Sequence, residues 1–227
     1  MIKPVFNVLI AHQEDNYTEF VLEPLERGYG HTVGNALRRV LLSSIEGHAI
    51  TAVKIKGVDH EFQTVKGMTE DVVELLLNLK EIRLKSDLTD ATHLTLKKKG
   101  GEVKAGDIEC PGSVEIVNKN HHLATLAESA SLELDLTVEY GVGFSPASEC
   151  ESEDISGELM VDAIYSPVTK VAYSVEETRV GRRTDFDKLV LKMWTDGTVD
   201  AREVLNQASE ILIGHFQQVI NPTDIVQ

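Results

Sequence analysis

The stretch Leu22 to Ile45, LEPLERGYGHTVGNALRRVLLSSI, decides the fold. It reads as a strand end, a glycine-rich turn and a helix. Gly28 and Gly30 accept positive φ without a Cβ clash, which suits a sharp strand-to-helix reversal. Thr32 is the predicted N-cap of the helix. Projected at about 100° per residue, Val33, Ala36, Leu37, Val40, Leu41 and Ser44 share one face, a core or dimer face. Leu42 falls on the opposite side, close to Asn35 and framed by Arg38 and Arg39. Such a leucine has two readings. It is an isolated exposed apolar residue, common on any surface, or an anchor for a partner, since arginine is enriched at interfaces and leucine supplies apolar area.

The turn raises a rival reading. Gly28-x-Gly30-x-x-x-Gly34 lies between a strand and a helix, where backbone amides cradle phosphate in nucleotide-binding proteins. Its spacing does not match the dinucleotide fingerprint. Glu23 and Glu26 place negative charge just before it, and no Lys-Ser/Thr pair follows Gly34. A phosphate- or nucleotide-binding enzyme built on Gly28–Gly34 stands as the alternative function.

The chain has 227 residues and a formal net charge of −15. That length suits one large or two small domains. A field of that sign repels a phosphate backbone, so the bulk surface is not a nucleic-acid binder. Cys110 and Cys150 are far apart and form no CxxC, which suits a reducing compartment. Met1 leads into IKPVFNVLI with no small-residue cleavage site, so no signal peptide is read. No apolar run reaches the roughly 18 residues of a membrane-spanning helix. The expectation is a soluble, cytoplasmic protein.

Outward from the central stretch, Val5–Ile10 and Thr18–Leu22 read as a hairpin turning around Glu14–Asn16. Gly47 is the expected helix end. Ala49, Val53, Ile55 and Val58 begin a β-rich block. Thr69 is the expected cap of a second helix, with Glu70 and Asp71 in its first turn and Met68 stapled on Val73. Val72, Leu75, Leu76 and Leu79 form its buried stripe, and Lys80 lies near its end. Short strands are read at His93–Leu96, Ser113–Val117 and His122–Leu126, with turns at Lys97–Gly101 and Gly106–Asp107. Leu132, Leu134, Leu136, Val138 and Tyr140 alternate as a half-buried strand. Residues 145–158, SPASECESEDISGE, are acidic and small, and read as an exposed, mobile loop.

Strand patterning returns at Leu159–Tyr165, Val171–Val175 and Leu189–Trp194, followed by a turn at Asp196-Gly197. Asp200 and Glu203 form a capping box. Behind them Ala201, Val204, Leu205, Ala208, Ile211, Leu212, Phe216 and Val219 keep helical spacing for about 20 residues, roughly 30 Å. The stripe also takes in Ile220, with Ile213 beside it. Near a chain end it is a candidate dimer seam as well as core. A β-rich middle is thus inserted between two outer segments, each pairing strands with one strongly apolar helix.

Local catalytic signals are missing. His121-His122 is read with its rings on opposite faces of a strand, no Cys or His cluster has metal-ligand spacing, and no Gly-x-Ser-x-Gly occurs. Asp162, Glu158 and Glu176-Glu177 read as solvated carboxylates. On residues alone the chain is a scaffold or interaction protein, or an enzyme whose site is not local.

The central stretch, extended to LEPLERGYGHTVGNALRRVLLSSIEG, resembles the N-terminal domain of the bacterial-type RNA polymerase alpha subunit. The likeness continues in order through GVDHEFQTVKGMTEDVVELLLNLKEI, VKAGDI, VEIVN, GVGFSPAS, VDAIYSPVTKVAYSV, TRVGRRTDFDKLVLKMWTDGT and EVLNQASEIL. It implies an α+β fold in two subdomains. Residues 1–46 with 169–227 would be a dimerisation subdomain, an antiparallel sheet plus two helices, and 47–168 an inserted β-rich α+β subdomain. It implies a non-catalytic scaffold of a nucleotidyltransferase that homodimerises and docks the beta and beta-prime subunits. Magnesium and zinc would belong to other subunits, and this chain would hold no cofactor. Arg38, Arg39 and Leu42 match the beta-docking positions. Glu74, Lys80, Val161, Asp162 and Lys188 match positions docking beta or beta-prime. The dimer interface would use Tyr29, Val33, Leu37, Val40, Leu41, Leu205, Ala208, Leu212 and Phe216. Transcription regulators are further expected partners; nucleic acid and membrane are not. In the family a linker and a DNA-binding domain follow, whereas this chain stops at Gln227 after INPTDIVQ.

Overall fold

Two paired strands open the chain. In the computed structural model, which describes residues 5–149 and 157–220, β1 (Asn7–Glu14) runs antiparallel to β2 (Tyr17–Leu25). The hairpin turns at Asp15-Asn16, and Asp15 takes φ 44°, which a short polar side chain tolerates. After β2 the chain reverses at Gly28, at φ 87°. The helix α1 (Tyr29–Ser43) starts there, so Gly28 and not Thr32 is the N-cap. The Thr32 hydroxyl instead donates to the Gly28 carbonyl from inside the helix, at 3.3 Å. The acceptor that a capping threonine would supply comes from elsewhere: the amides of Gly28 and Gly30 donate to Oδ2 of Asp187, at 2.8 and 3.0 Å. The helix ends at Ser43, and Gly47 belongs to the next strand.

That strand, β3 (Glu46–Ile55), begins the inserted unit, Glu46–Ser166. Next come α2 (Val72–Lys80), β4 (Leu84–Ser86), β5 (Thr92–Lys104), β6 (Ile108–Glu109), β7 (Val114–Ile116) and β8 (His122–Val142). β9 (Phe144–Ser145), β10 (Glu158–Met160) and β11 (Ala163–Ile164) complete the unit. The sheet order is β6-β5-β8-β3-β4-β7, with β10 added to β3 and a separate β9–β11 pair. β8 carries the core: Leu132, Leu134, Leu136 and Val138 are buried on one face. It joins the two strands read separately at His122–Leu126 and Leu132–Tyr140. Lys97–Gly101 is correspondingly not a turn. It lies inside β5 and pairs with β8, and Gly100 and Gly101, both at positive φ, absorb the irregularity as a bulge.

The stripe Val72, Leu75, Leu76 and Leu79 is buried as expected. The cap differs. Asp71 is the N-cap, its Oδ1 accepting from the Glu74 amide at 2.7 Å. The amide of Thr69 donates to the Thr125 carbonyl on β8. With the start shifted, Val73 faces out and Met68 packs into the core, so the predicted staple does not form. Glu70 turns to β8, accepting from the Thr125 amide at 2.6 Å and hydroxyl at 3.0 Å, with His122 Nε2 at 2.9 Å. His122 Nδ1 lies 3.3 Å from Glu102, while His121 Nε2 meets the Asn78 carbonyl at 3.0 Å. Of the acidic loop, residues 150–156, Cys150 among them, lie outside the described residues. Ala147–Glu149 form a 3-10 turn.

The chain re-enters the first unit at Pro167. β12 (Val168–Val180) and β13 (Arg183–Thr195) form a long hairpin. β13 also pairs with β2, giving the order β1-β2-β13-β12. The helix α3 (Ala201–Ile220) follows the Asp196-Gly197 turn and is capped by Asp200, whose Oδ1 accepts from the Arg202 amide at 2.8 Å. The core of this unit joins Phe20 and Leu22 of β2, Leu37 and Leu41 of α1, Leu189 and Leu191 of β13, and Val204 and Ala208 of α3.

Two predictions follow from these contacts. Asp187→Ala strands two amides of the helix start, that of Gly30 buried, and should cost about 1–3 kcal/mol in urea unfolding, with Asp187→Asn, which keeps an acceptor oxygen, costing less. Equal stability of Asp187→Ala and the parent would show the cap to be idle.

The second concerns pH. Burial pushes Glu70 up, but the hydrogen bonds from Thr125 and His122 outweigh it and hold the carboxyl below its ordinary value. The hydrogen bond to Glu70, opposed by desolvation and helped by Glu102, raises His122. The raised histidine stabilises fully below its unfolded value, about 6.5, and that gain is lost as pH rises through the folded value. The depressed glutamate stabilises above its unfolded value, about 4.3, and loses this as pH falls through its folded value. His122→Ala should therefore destabilise most near pH 5.5 and less near pH 9 in urea titrations. A pH-independent loss would remove the ion pair from the account.

Candidate functional site

The glycine turn is already satisfied. The amides that a phosphate would need are hydrogen-bonded to Asp187, whose carboxylate also repels an anion. The glycines serve close packing instead. A Cβ at Gly30 would lie 2.7 Å from Val175 Cγ1, and one at Gly34 would lie 2.8 Å from Tyr173 Cδ2. These contacts overturn the reading of Gly28–Gly34 as a phosphate cradle. Asp187 itself was missed by sequence reading. The signal was present: it keeps the parity of Leu189, Leu191 and Met193, so a carboxylate points to the helix-covered face of β13.

With its start pinned this way, α1 presents two faces. Leu37, Val40 and Leu41 are buried in their own unit. Arg38, Arg39 and Leu42 are exposed, Leu42 at 37 %. Among the described residues, no carboxylate lies within 4.0 Å of either guanidinium. This is a cationic, apolar-centred patch.

The residues matched to a dimer interface divide in two. Leu37, Val40, Leu41, Leu205 and Ala208 are core, with almost no surface left for a partner. Tyr29 and Phe216 are exposed, and Val33 and Leu212 are half-buried. The stripe of α3 thus changes character along its length. It is buried at Ala201, Val204, Leu205 and Ala208, partly covered at Ile211 and Leu212, then open. Ile213, Phe216, Val219 and Ile220 are 54–75 % exposed.

In the inserted unit, two residues singled out separately meet. Lys80 Nζ lies 3.0 Å from Asp162 Oδ2 and 5.5 Å from the centre of the Phe144 ring. Asp162 Oδ1 accepts from the Ala147 amide at 2.9 Å. Asp162 is therefore a fixed partner and not the solvated carboxylate expected. The Ala147 amide, then Lys80, hold its carboxyl below the ordinary value. Phe144 and Ile164 stand exposed close by in the chain pairing of β9 with β11. Glu74 is exposed on α2. Val161 is buried in the core, so its side chain offers no docking surface. In the outer unit Lys188 pairs with Glu176 at 3.2 Å across β13 and β12. No helix among the described residues is long and apolar enough to cross a membrane.

Comparison with known proteins agrees with this architecture. Residues 53–166, nearly the whole inserted unit, match the family model described as RNA polymerase Rpb3/RpoA insert domain. The DNA-directed RNA polymerase subunit alpha of Thermus aquaticus is 50 % identical over 222 residues, 96 % of this chain and 70 % of that one. That of Clostridium beijerinckii is 46 % identical over 224 residues, 98 % of this chain and 71 % of its own. That of Roseiflexus sp. (strain RS-1) is 49 % identical over 207 residues, 90 % of this chain, and this chain spans only 64 % of its length. With a family model over half its residues and relatives near 50 % identity along almost its full length, the chain belongs to the family of DNA-directed RNA polymerase alpha subunits.

Proposed function

We propose that this chain is the assembly scaffold of a DNA-directed RNA polymerase. It pairs with a second copy of itself, docks the beta and beta-prime subunits, and contributes no catalytic group. The observation that carries the reading is the open half of α3: Phe216, Val219 and Ile220 continue a buried stripe, with Ile213 beside it, and all four are largely exposed in their own unit. An obligate homodimer commonly hides about 2,000–5,000 Å² in total, and Tyr29, Val33, Leu212 and Phe216 supply surface for it.

Docking is assigned to surfaces on both units. Arg38, Arg39 and Leu42 form the patch for beta, a leucine for apolar area with two guanidiniums to orient carboxylates. Glu74, the Lys80–Asp162 pair beside Phe144, and Lys188 form a second set for beta or beta-prime. Regulators are further partners of this scaffold. Magnesium, zinc and the nucleotide belong to the large subunits.

Two substitutions separate the roles. Arg39→Ala should leave the dimer intact by sedimentation and weaken binding to beta by about 1–2 kcal/mol, roughly 5- to 30-fold. Loss of the dimer, or unchanged beta affinity, would contradict the assignment. Phe216→Asp puts a charge where apolar surface is to be buried and should yield a folded monomer. A dimer of unchanged mass would exclude the α3 seam.

A further inference from the structure

Helix α2 is gripped at both ends by two consecutive histidines. At its start, Glu70 precedes the N-cap Asp71, and His122 Nε2 lies 2.9 Å from Glu70 Oε1. In its last turn, the Asn78 carbonyl lies 3.0 Å from His121 Nε2, and Asn78 Nδ2 donates to the Leu123 carbonyl at 2.9 Å. The stripe Val72, Leu75, Leu76 and Leu79 is buried between these points. Apolar burial is non-directional, so the stripe alone leaves slack in the axial position of a nine-residue helix. The polar grips take up that slack.

The two grips differ in what they need. One N–H on His121 serves the Asn78 carbonyl, and the Glu81 carboxylate is 4.0 Å away. His122 instead faces a carboxylate on each ring nitrogen: Glu70 at Nε2, and Glu102 of β5 at Nδ1, 3.3 Å away. A neutral imidazole carries one N–H and donates to one of them; the imidazolium donates to both. Lys104, also of β5, pairs with Glu102 at 3.2 Å and opposes the ring's proton. Thr125 of β8 donates to Glu70 through its amide and hydroxyl, and Asp71 spends Oδ1 on the Glu74 amide. Two carboxylates against one ammonium leave the balance with the cation. The hydrogen bond to Glu70 outweighs desolvation, and Glu102 adds to it, so the ring keeps its proton above the ordinary histidine range.

We infer that His122 is a positioning residue for docking: as an imidazolium it ties Glu70 to Glu102 and fixes the start of α2, and its deprotonation loosens the exposed face that carries Val73, Glu74 and Leu77. The inference rests on the docking role given to Glu74 above. Glu74 stands one turn beyond Glu70, so slack at the grip reaches it directly. The sign follows from the raised value: the grip is whole at low pH and loses one of its two bonds as pH rises through it.

The test uses the full chain with purified beta and, separately, beta-prime, titrated at about pH 6 and about pH 9. The subunit that docks on α2 should bind the parent about two- to tenfold more weakly at the higher pH. His122→Gln, which keeps a neutral donor, should bind at both pH values as the parent does at the higher one. Glu102→Gln, at an exposed position, should shrink the same ratio. Hydrogen exchange corrected for intrinsic rates should show the Glu74 and Leu75 amides losing protection with rising pH in the parent and not in His122→Gln. An unchanged affinity ratio in both variants, or α2 protection indifferent to pH in the parent, overturns the inference. Unchanged affinity of Glu74→Ala for both subunits overturns the docking reading instead, and the exchange data then still decide whether His122 positions α2.

Discussion

The carboxylate of Asp187 holds the outer unit in register. It takes the amides of Gly28 and Gly30 across sequence separations of 159 and 157 residues. A helix start needs acceptors for its first amides, and a carboxylate there also meets the positive end of the helix dipole. Here the acceptor comes from the sheet and not from the turn, so the same bonds that start α1 also fix where it lies on β13 and β12. Gly30 and Gly34 permit that approach, since a Cβ at either would collide with Val175 or Tyr173. Once the start and rotation of α1 are set, the outward positions of Arg38, Arg39 and Leu42 are set too. That exposed patch takes its orientation from the cap.

The connectivity has a kinetic consequence. β2 pairs with β13, and the insert of Glu46–Ser166 separates them in sequence. The core of the outer unit therefore closes only through contacts of long sequence separation, the slow kind. The insert carries its own core around β8, built among the described residues from its own side chains. A chain emerging from synthesis can complete the insert before the outer sheet closes. The cap of α1 on Asp187 is one of these long-separation contacts.

Periodicity made much of this legible in the sequence. The alternation Leu132–Val138, the stripe Val72–Leu79 and the wheel that turned Leu42 away from Leu41 all describe which face of an element is apolar, and each matches the observed burial. The caps at Thr32 and Thr69 were misplaced because capping preferences are local. A distant carboxylate outcompeted Thr32, and Asp71, two residues on, took the role from Thr69. Lys97–Gly101 reads as a turn in isolation because its glycines favour one, but the length of β8 offers a partner on both sides and converts it to a bulge. The Lys80–Asp162 pair spans 82 residues and has no signature in spacing.

Periodicity also fails in a more instructive way along α3. It assigns Leu205, Ala208, Leu212 and Phe216 to one face, but what covers that face changes between Ala208 and Ile213. The hydrophobic pattern continues without a break because the requirement is the same on both sides of the change: apolar surface must leave water. Inside the unit α1 and the shared core satisfy it. Beyond Leu212 about 12 Å of helix runs on, and each of its large side chains forgoes part of the roughly 1.5–3 kcal/mol that full burial would supply. A polar face would have ended the stripe where the unit's own cover ends. The stripe instead runs on through Phe216, Val219 and Ile220, all largely exposed in their own unit.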